Sequence, residues 1–588
     1  MFSSTKWQSA REAKRAEQRE LIERGKEMVQ KQAAGISDDL NKAILGATAV
    51  DIVRNIEQKK PGWTATNVLL VFIRSAIRAH ESTNALTEIL FDEALKRAQD
   101  LDAEFARTGR VVGPLHGVPV SLKDHIDIAG YDTTMGLTHM TSQPVEEDSG
   151  IARVLKKAGA VPFVKTNIPQ TMLAFDCSNC LFGATMNPYN PERIPGGSSG
   201  GEAALLASDG SVLGIGSDIG GSLRIPAHFS GCFSLKPCYG RFPSSGCQNF
   251  TPGFEGVHST MGPMGRSVSD VEALTRVFLD ASIDVSRTET GVFPMPYRKD
   301  VKLPKKLKFG YFLTDGFCKA SPACERAVLM AVEALRKKGH ECVEFEPPTP
   351  LEAMEYFTAL TSADRYETLL SFLRGDPAES SLWLVTMGPK LPAPIRWFLN
   401  WVFENVMGDP KMARLMRASK GKSVVEVQQW QHRRDLFVAK ARKQLWEEHG
   451  FDAVLCAPQA TPALKHGDTW DLSVLAICTI LWNVIDSTVG HLPMTFVDST
   501  LDVPSSTWWD VQRASPGSAM VEKRVYGKGG VYDAKAMEGL PVGLQIVGRQ
   551  YDEERVIELM KVVDEAVGKR GFGPGEFGKR MKGAERVY

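Results

Sequence analysis

The sequence has no excess of charge of either sign and no long apolar run. Its 588 residues include 70 Lys and Arg and 70 Asp and Glu, so the formal net charge is zero. A balanced chain lacks the basic surface with which proteins bind nucleic acids, and we expect no nucleic-acid partner. No uninterrupted stretch of about 18 apolar residues occurs, which argues against a membrane-spanning helix.

Regular cysteine spacing and nucleotide-binding motifs are also missing. The ten cysteines follow no pattern and no signal peptide opens the chain, so we expect reduced thiols and a cytoplasmic location. Cys177 and Cys180 form a C-x-x-C without a second pair, so we expect no metal. The glycine-rich segments match neither a phosphate loop nor a dinucleotide fingerprint, so we expect no cofactor.

Glycine and serine are instead concentrated in residues 196–237. This stretch holds ten glycines and eight serines, and its two tight clusters, GGSSGG and DIGGS, flank a short apolar segment. Glycine lets backbone N–H groups converge on one point. A serine beside such N–H groups can attack a carbonyl while they hold the oxyanion. The stretch therefore predicts an acyl-transfer site.

The first cluster also matches the nucleophile elbow G-x-S-x-G at residues 196–200, with Ser198 as the nucleophile. An elbow follows a strand, and Pro188, Pro191 and Pro195 oppose a strand at this place. It also needs an acidic residue and a histidine downstream, and none of the eleven histidines has a distinctive setting. The elbow is therefore the weaker interpretation.

Residues 196–237 resemble the amidase signature family of serine hydrolases almost residue for residue. By that resemblance the nucleophile of D-I-G-G-S is Ser222, the bridging serine of G-G-S-S-G-G is Ser198, and the base of G-V-P-V-S-L-K-D is Lys123. It also implies a cis peptide bond between Gly197 and Ser198. The similarity covers roughly residues 85–291 and 451–568.

Lys123 can act as the base in amide hydrolysis only in its neutral form. At the ordinary lysine pKa, neutrality at pH 7 costs about 4.6 kcal/mol, so burial must lower the pKa of Lys123. Residues 119–122 before it predict a buried strand. Ser198 then relays the proton, because its hydroxyl can donate to Lys123 while it accepts from Ser222.

The second cluster predicts the oxyanion hole. We expect its donors to be the backbone N–H groups of Ile219, Gly220, Gly221 and Ser222, where two glycines leave the backbone uncovered.

Four further residues are assigned supporting roles. We expect Ser199 to support the site through its hydroxyl, and Asp218 and Arg224 to be structural charges that hold the loop. The resemblance implies that Met172 lines the substrate channel, while a core position is the alternative for a single methionine.

The pattern of segments predicts an α/β protein. Short β-rich runs alternate with helical ones, and the resemblance implies the amidase signature fold, a large mixed β-sheet sandwiched by helices. Residues 6–32 are charged and predict an exposed helix. We divide the chain into an N-terminal helical extension, residues 1–75, and a catalytic domain, residues 76–588. Within the latter, residues 345–450 predict a mainly helical cap.

Within the family the chain is most similar to fungal-type general amidases and to fatty acid amide hydrolases, the latter through residues 170–183. We expect hydrolysis of small-molecule carboxylic amides to acid plus ammonia or amine through an acyl-serine. One alternative is hydrolysis of long-chain acyl amides at a membrane surface. Another is the subunit of a tRNA-dependent amidotransferase.

An aromatic segment, residues 391–407, lies where fatty acid amide hydrolases carry a membrane-dipping cap. Its aromatic side chains are suited to a bilayer interface, although Arg396 is its one cation. Peripheral membrane contact, a homodimer interface and burial against the core all stay open here.

Overall fold

The computed structural model describes residues 4–505, 508 and 517–582. These residues form a single sheet of eleven strands, surrounded by helices. The strands are β1 Leu86–Ile89, β2 Pro119–Lys123, β3 Val161–Thr166, β4 Leu213–Asp218, β5 Phe233–Lys236, β6 Thr260–Gly265, β7 Lys308–Tyr311, β8 Glu341–Glu344, β9 Ala453–Cys456, β10 Val489–Phe496 and β11 Pro541–Val547.

The strand order is β1-β3-β2-β4-β6-β5-β10-β11-β9-β7-β8. Strand β2 pairs in parallel with both β3 and β4, and β7 pairs in parallel with β8 and β9. The remaining pairs are antiparallel. The predicted mixed sheet is confirmed, and β2, which ends at Lys123, lies between two parallel neighbours.

Four of the described helices precede the first strand, and the others lie between and after the strands. They are α1 Ser4–Gln32, α2 Asp38–Leu45, α3 Ala49–Glu57, α4 Ala65–Thr83, α5 Phe91–Thr108, α6 Gly150–Lys157, α7 Gly200–Ala207, α8 Arg224–Ser230, α9 Val268–Val285, α10 Pro322–Lys337, α11 Pro350–Thr361, α12 Glu367–Ser371, α13 Trp383–Lys390, α14 Ala393–Trp401, α15 Pro410–Ala418, α16 Val424–Lys443, α17 Thr469–Leu472, α18 Ile477–Val484, α19 Ala519–Tyr526, α20 Glu553–Val567 and α21 Glu576–Lys582.

Helices cover both faces of the sheet, as adjacent residues of β10 show. A Cβ on Gly490 would meet Met560 of α20, while the ring of His491 lies 6.4 Å from that of His228 in α8. Successive side chains of a strand point to opposite faces, so α20 and α8 lie on opposite sides. The sandwich implied by the resemblance is therefore present.

The N-terminal helix is only partly exposed. Lys14, Gln18, Ile22 and Val29 of α1 are buried. Apolar residues on either side of position 75 share one hydrophobic cluster, which includes Ile22 and Phe72 as well as Phe91 and Phe163. The prediction of an exposed helix is wrong for the face of α1 that carries these residues. They are few among many charged residues, so the sequence pattern does not show that this face is buried. The domain boundary near residue 75 stays a prediction.

Residues 345–450 contain helices α11 to α16, as predicted for the cap. Within it α14 has no buried residue, so burial of the aromatic segment against the core is ruled out. Trp397 is 69% exposed, Phe398 55% and Trp401 47%. Among the described residues, no helix combines the length and apolarity needed to cross a bilayer.

Candidate active site

Lys123 ends β2, the third strand from one edge of the sheet, and is completely buried. Its Nζ donates to Ser198 Oγ at 2.7 Å and to Ser217 Oγ at 2.9 Å. It forms no ion pair with any described residue. Two neutral hydroxyls and no carboxylate surround the amine, so nothing in contact with it stabilises the charged form fully.

Burial therefore decides the charge of this lysine. It lowers the pKa of Lys123 from its usual 10.5 to about 7, and the acidic groups of Cys177, Asp218 and Glu202 oppose that shift only in part. A substantial share of the amine is then neutral at physiological pH. This is the state that a general base requires.

Glu202 of α7 is buried near Lys123 but does not act as a full counter-ion. Its carboxyl accepts hydrogen bonds from Ser121 Oγ at 2.6 Å and Thr166 Oγ1 at 2.8 Å. Burial raises the pKa of Glu202 to about 8, although those hydroxyls and Lys123 oppose the shift. A carboxyl that is mostly neutral at pH 7 leaves the lysine free to be neutral as well.

Ser198 lies in the loop that leads into α7, and the peptide bond between Gly197 and Ser198 is cis, as the resemblance implied. Ser222 lies in the turn between β4 and α8 and is 9% exposed. Its Oγ makes no hydrogen bond to a described residue, so the expected Ser222–Ser198 contact is not formed in this structure. Such contacts often close only when substrate is present.

Asp218 holds the turn that carries Ser222. It accepts hydrogen bonds from Gly221 N at 2.7 Å and Leu223 N at 3.0 Å, and pairs with Arg224 at 3.0 Å. Burial acts to raise the pKa of Asp218, but the Arg224 charge and hydrogen bonds outweigh it and hold the pKa at about 2. The carboxylate is ionised, and it ties the turn to α8.

Arg224 anchors the same turn to distant parts of the chain. Its guanidinium donates to Thr479 O at 3.0 Å, to Gln545 Oε1 at 2.8 Å and to Asn483 Oδ1 at 2.7 Å. Neither Asp218 nor Arg224 lines the two cavities that open beside Ser222. Both charges contact the loop and not the space for substrate.

The oxyanion hole needs one correction. The N–H of Gly221 is bonded to Asp218, so it is not free for an oxyanion. The N–H groups of Ile219, Gly220 and Ser222 donate to no other described residue. Three of the four predicted donors are thus available, and the fourth shapes the turn.

Gly221 is required at its position for two reasons. Its φ is +128°, and a Cβ there would lie 2.4 Å from Thr479 Oγ1.

Ser199 joins the two clusters, because its backbone N–H donates to Ser222 O at 3.3 Å and its Oγ accepts from Ser217 N at 3.3 Å.

Known proteins share this sequence and fold. A family model described as Amidase matches residues 67–557. Fatty acid amide hydrolase 1 of Caenorhabditis elegans is 31% identical over 93% of this chain and 96% of its own length. An acetamidase of Emericella nidulans is 30% identical over 91% of this chain and 92% of its own. The chain belongs to the amidase signature family.

A solved structure agrees with this assignment. A fatty acid amide hydrolase superposes with a TM-score of 0.82 at 26% identity and covers 96% of both chains. Like the amidases it matches, this protein is a hydrolase that acts on amides.

Ser217 was not among the residues predicted for the amidase site. It precedes the D-I-G-G-S motif and contacts Lys123 because β4 pairs with β2 in parallel, with Leu122 opposite Ile215. No local pattern reveals such a pairing between distant strands. The one signal available in the sequence was the position of Ser217 at the carboxyl end of a strand, where its side chain can contact the buried lysine of a neighbouring strand.

Two cavities of the amidase meet at Ser222. The first, called the apolar cavity, is lined mainly by apolar side chains of α11, α13, α15 and α18, among them Phe357, Leu384, Leu415 and Ile480. The second, called the polar cavity because it has more polar groups than the first, is lined by apolar side chains such as Phe250, Phe254 and Met261 and by polar ones that include His125, Ser198, Ser217, Gln248, Asn249 and His258. Met172 lines both.

Proposed function

We propose that this amidase cleaves carboxylic amides through an acyl-enzyme on Ser222, with Lys123 as base and Ser198 as proton relay. The observation that carries the proposal is Lys123 itself. It is buried, has no carboxylate partner among the described residues, and donates to Ser198 Oγ at 2.7 Å. A lysine held in this way is suited to exchange protons and poorly suited to a structural ion pair.

Acylation follows from these contacts. Neutral Lys123 takes a proton from Ser198, Ser198 takes one from Ser222, and Ser222 Oγ forms a bond to the substrate carbonyl carbon. The carbonyl oxygen gains the negative charge and meets the N–H groups of Ile219, Gly220 and Ser222. The C–N bond then breaks as Ser198 returns a proton to the leaving nitrogen. Water releases the acid by the same route in reverse.

The two cavities suit the two halves of an amide. Ser198 lines the polar cavity but not the apolar one. Because Ser198 must reach the leaving nitrogen, the amine half belongs in the polar cavity. The acyl half then enters the apolar cavity, beside Gly220 and Ser222.

The preferred acyl group is therefore of medium or long chain. The apolar cavity runs from Ser222 between helices of the cap, past Phe357 and Met412 to Met416. Each methylene buried there contributes up to about 0.8 kcal/mol, or roughly fourfold in affinity. The exposed Trp397–Trp401 face does not line this cavity, so it is not part of the acyl site.

That exposed face supports peripheral contact with a lipid surface. Trp397, Phe398 and Trp401 are at least 47% exposed, and Val406 just beyond the helix is 67% exposed. Amphipathic helices bury such side chains at the boundary between headgroups and acyl chains. A homodimer through this face is the competing arrangement. The described residues contain no disulfide bond, which supports a reducing, cytoplasmic setting.

Labelling and a chain-length series test the proposal together. A fluorophosphonate is expected to label Ser222, and kcat/KM for primary amides is expected to rise from acetamide to dodecanamide. Met172→Trp, which narrows the cavity at Ser222, should move the preference toward short chains. Equal kcat/KM for all chain lengths would reject the acyl site. Glutaminase activity that depends on a second subunit would favour the amidotransferase.

A further inference from the structure

Glu202 is a buried carboxylic acid that has no part in the proposed proton relay. It is completely buried and forms no ion pair with any described residue. Its two oxygens accept from hydroxyls alone, from Ser121 Oγ at 2.6 Å and from Thr166 Oγ1 at 2.8 Å. Burial without a cation disfavours the ionised form of a carboxyl, so an acid is a costly choice at this position.

The two hydroxyls place the carboxyl on the same face of the sheet as the side chain of Lys123. Ser121 lies two residues before Lys123 on β2, and alternate residues of a strand point to the same face. Thr166 of β3 is the register partner of Lys123. Glu202 also follows Ser198, the hydrogen-bond partner of Lys123, by four residues. The acid therefore faces the base from α7.

Neither helix capping nor hydrogen bonding explains why this residue is an acid. Glu202 is the third residue of α7, from which an acidic side chain commonly accepts from the N–H of the N-cap residue. That residue is Ser199, and its N–H donates to Ser222 O instead. The hydroxyls of Ser121 and Thr166 could bond equally well to an amide, since a hydroxyl donates and accepts. What glutamate offers here and glutamine does not is a charge.

Lys123 is the group that this charge acts on. The other charged or imidazole side chains of the elements packed against α7 have partners of their own or lie at the surface: Arg74, Arg78, His80 and Glu81 of α4, Lys165 of β3, Asp218 of β4, and Arg224 and His228 of α8. Burial raises the pKa of the nearby thiols of Cys177 and Cys232, so neither changes its charge near neutral pH.

We propose that Glu202 is a positioning residue for the base, and that its carboxylate stabilises the ammonium that Lys123 becomes when it takes the proton of Ser198. This rests on the proposed function, in which Lys123 accepts that proton. Glu202 lines neither the apolar nor the polar cavity. It therefore acts through Lys123 and does not contact the substrate.

The charges of the two groups then depend on each other. Burial raises the pKa of Glu202 to about 8, and Lys123 opposes that rise. Burial lowers the pKa of Lys123 to about 7, and Glu202 is among the acids that oppose that fall. As the pH rises, each carboxylate that forms makes the neighbouring ammonium harder to deprotonate. The rise of kcat/KM should therefore extend over a wider pH range than a single ionisation gives.

Glu202→Gln tests the proposal, because it keeps the shape and the hydrogen-bonding capacity and removes the charge. The measurement is kcat/KM of the intact enzyme for dodecanamide from about pH 6 to 10. We expect the midpoint of the rise to move to lower pH by about half a unit or more, because the carboxylate no longer holds the proton on Lys123. The plateau at high pH should fall several-fold, since an amine with a lower pKa is a weaker base.

Matched variants separate the charge from the packing. Thr166→Val keeps the shape and removes a hydroxyl that favours the ionised form of Glu202, so it should move the midpoint in the same direction by less. In the Glu202→Gln background it should move the midpoint no further. The control is Asp270→Asn in α9. Asp270 is also buried but accepts from Ala49 N at 2.8 Å, and its variant should keep the midpoint of Lys123.

The outcomes separate this proposal from the proposed function. A midpoint that stays in place in both Glu202→Gln and Thr166→Val, or that moves to higher pH, overturns the role of Glu202. A lower plateau at an unchanged midpoint also overturns it, because a merely structural residue has that effect. If circular dichroism shows that Glu202→Gln does not fold, the shift in Thr166→Val decides. If kcat/KM of the wild type does not change with pH, Lys123 is not the base, and both proposals fail.

Discussion

At the scale of single residues, the site is governed by which groups lack a charged partner. Lys123 contacts two hydroxyls, whereas Asp218 contacts a guanidinium and two backbone N–H groups. The lysine is therefore easily deprotonated and the aspartate is not easily protonated. One group is suited to proton transfer and the other to holding a loop, although both are buried.

The roles of the two serines can be separated by substitution. Ser222→Ala should abolish fluorophosphonate labelling and lower kcat by at least about 10³-fold, because it removes the oxygen on which the proposed acyl-enzyme forms. Ser198→Ala should slow labelling but leave Ser222 as the modified residue. Mass spectrometry of the labelled peptide checks the site. Labelling that survives Ser222→Ala and disappears with Ser198→Ala would establish the elbow with Ser198 as nucleophile.

The pH dependence tests the base. A pKa of about 7 for Lys123 means that kcat/KM should rise with pH, close to tenfold per unit below the pKa, and level off above it. The direction follows because only the neutral amine accepts a proton. Lys123→Met should remove the rise along with most of the activity.

A matched experiment excludes other titrating groups. The same profile measured with a dodecanoyl ester should show the same midpoint, since the base acts on Ser222 in both reactions. A rate that is flat between about pH 6 and 9, with acylation rate-limiting, contradicts Lys123 as the base.

Residue-scale prediction succeeded where a motif is local and failed where partners are distant. Residues 119–122 predict a buried strand before Lys123, and β2 is Pro119–Lys123. Gly221 was assigned to the oxyanion hole because nothing local shows that Asp218 takes its N–H. Ser217 was missed since its contact depends on the pairing of β2 with β4.

At the scale of elements, apolar strands were easier to place than aromatic helices. Strands β9 Ala453–Cys456 and β11 Pro541–Val547 are mainly apolar runs whose residues are all buried. The side chains of a buried strand all meet the protein core, so an apolar run in the sequence is sufficient to predict the strand. The pattern of α14 fits burial, lipid or a partner equally well, and only the structure shows that the core does not cover it.

The exposed face of α14 carries the prediction for this scale. Replacing Trp397 and Trp401 together by alanine should reduce sedimentation of the protein with phosphatidylcholine liposomes several-fold, because aromatic rings supply much of the interfacial binding energy. Hydrolysis of a short, water-soluble amide should change little, since neither residue lines the apolar or the polar cavity.

The control is a pair of equally exposed apolar residues elsewhere. Val424 and Val425 of α16 are 74% and 62% exposed, and their double alanine variant should bind liposomes normally. If Trp397→Ala with Trp401→Ala leaves liposome binding intact but changes the mass measured by light scattering, the face is a homodimer interface.

At the scale of the whole molecule, α1 is held to the catalytic sheet by a buried ion cluster. Lys14 Nζ lies 2.8 Å from Glu88 Oε1 and 2.9 Å from Asp132 Oδ2, and all three side chains are at most 5% exposed. Burial alone acts to lower the pKa of Lys14, but the two carboxylates outweigh it and raise that pKa. This ion cluster therefore holds α1 against the sheet near the middle of the helix, although the composition of α1 predicts an exposed helix.

Lys14→Met should therefore destabilise the entire fold. Removing one partner of a buried ion pair leaves the buried carboxyl groups of Glu88 and Asp132 without their cation, which costs about 3 kcal/mol or more in the free energy of unfolding. Urea denaturation followed by circular dichroism measures the loss. Lys31→Met is the control, because Lys31 is 76% exposed and pairs with Glu27 at 3.5 Å, and it should change the free energy by at most about 0.5 kcal/mol.

The pH dependence of that loss follows from Glu88. Burial raises the pKa of Glu88 to about 7 even though Lys14 opposes the shift, so without Lys14 the pKa rises further. Where a carboxyl is protonated in the folded state and ionised in the unfolded one, stability falls as pH rises. The free energy of unfolding of Lys14→Met therefore continues to fall above pH 7. In the wild type it no longer falls there on account of Glu88, because Glu88 is already ionised in the folded state. The difference between Lys14→Met and wild type should thus grow from pH 6 to pH 8, and a constant or shrinking difference would show that this cluster does not hold α1.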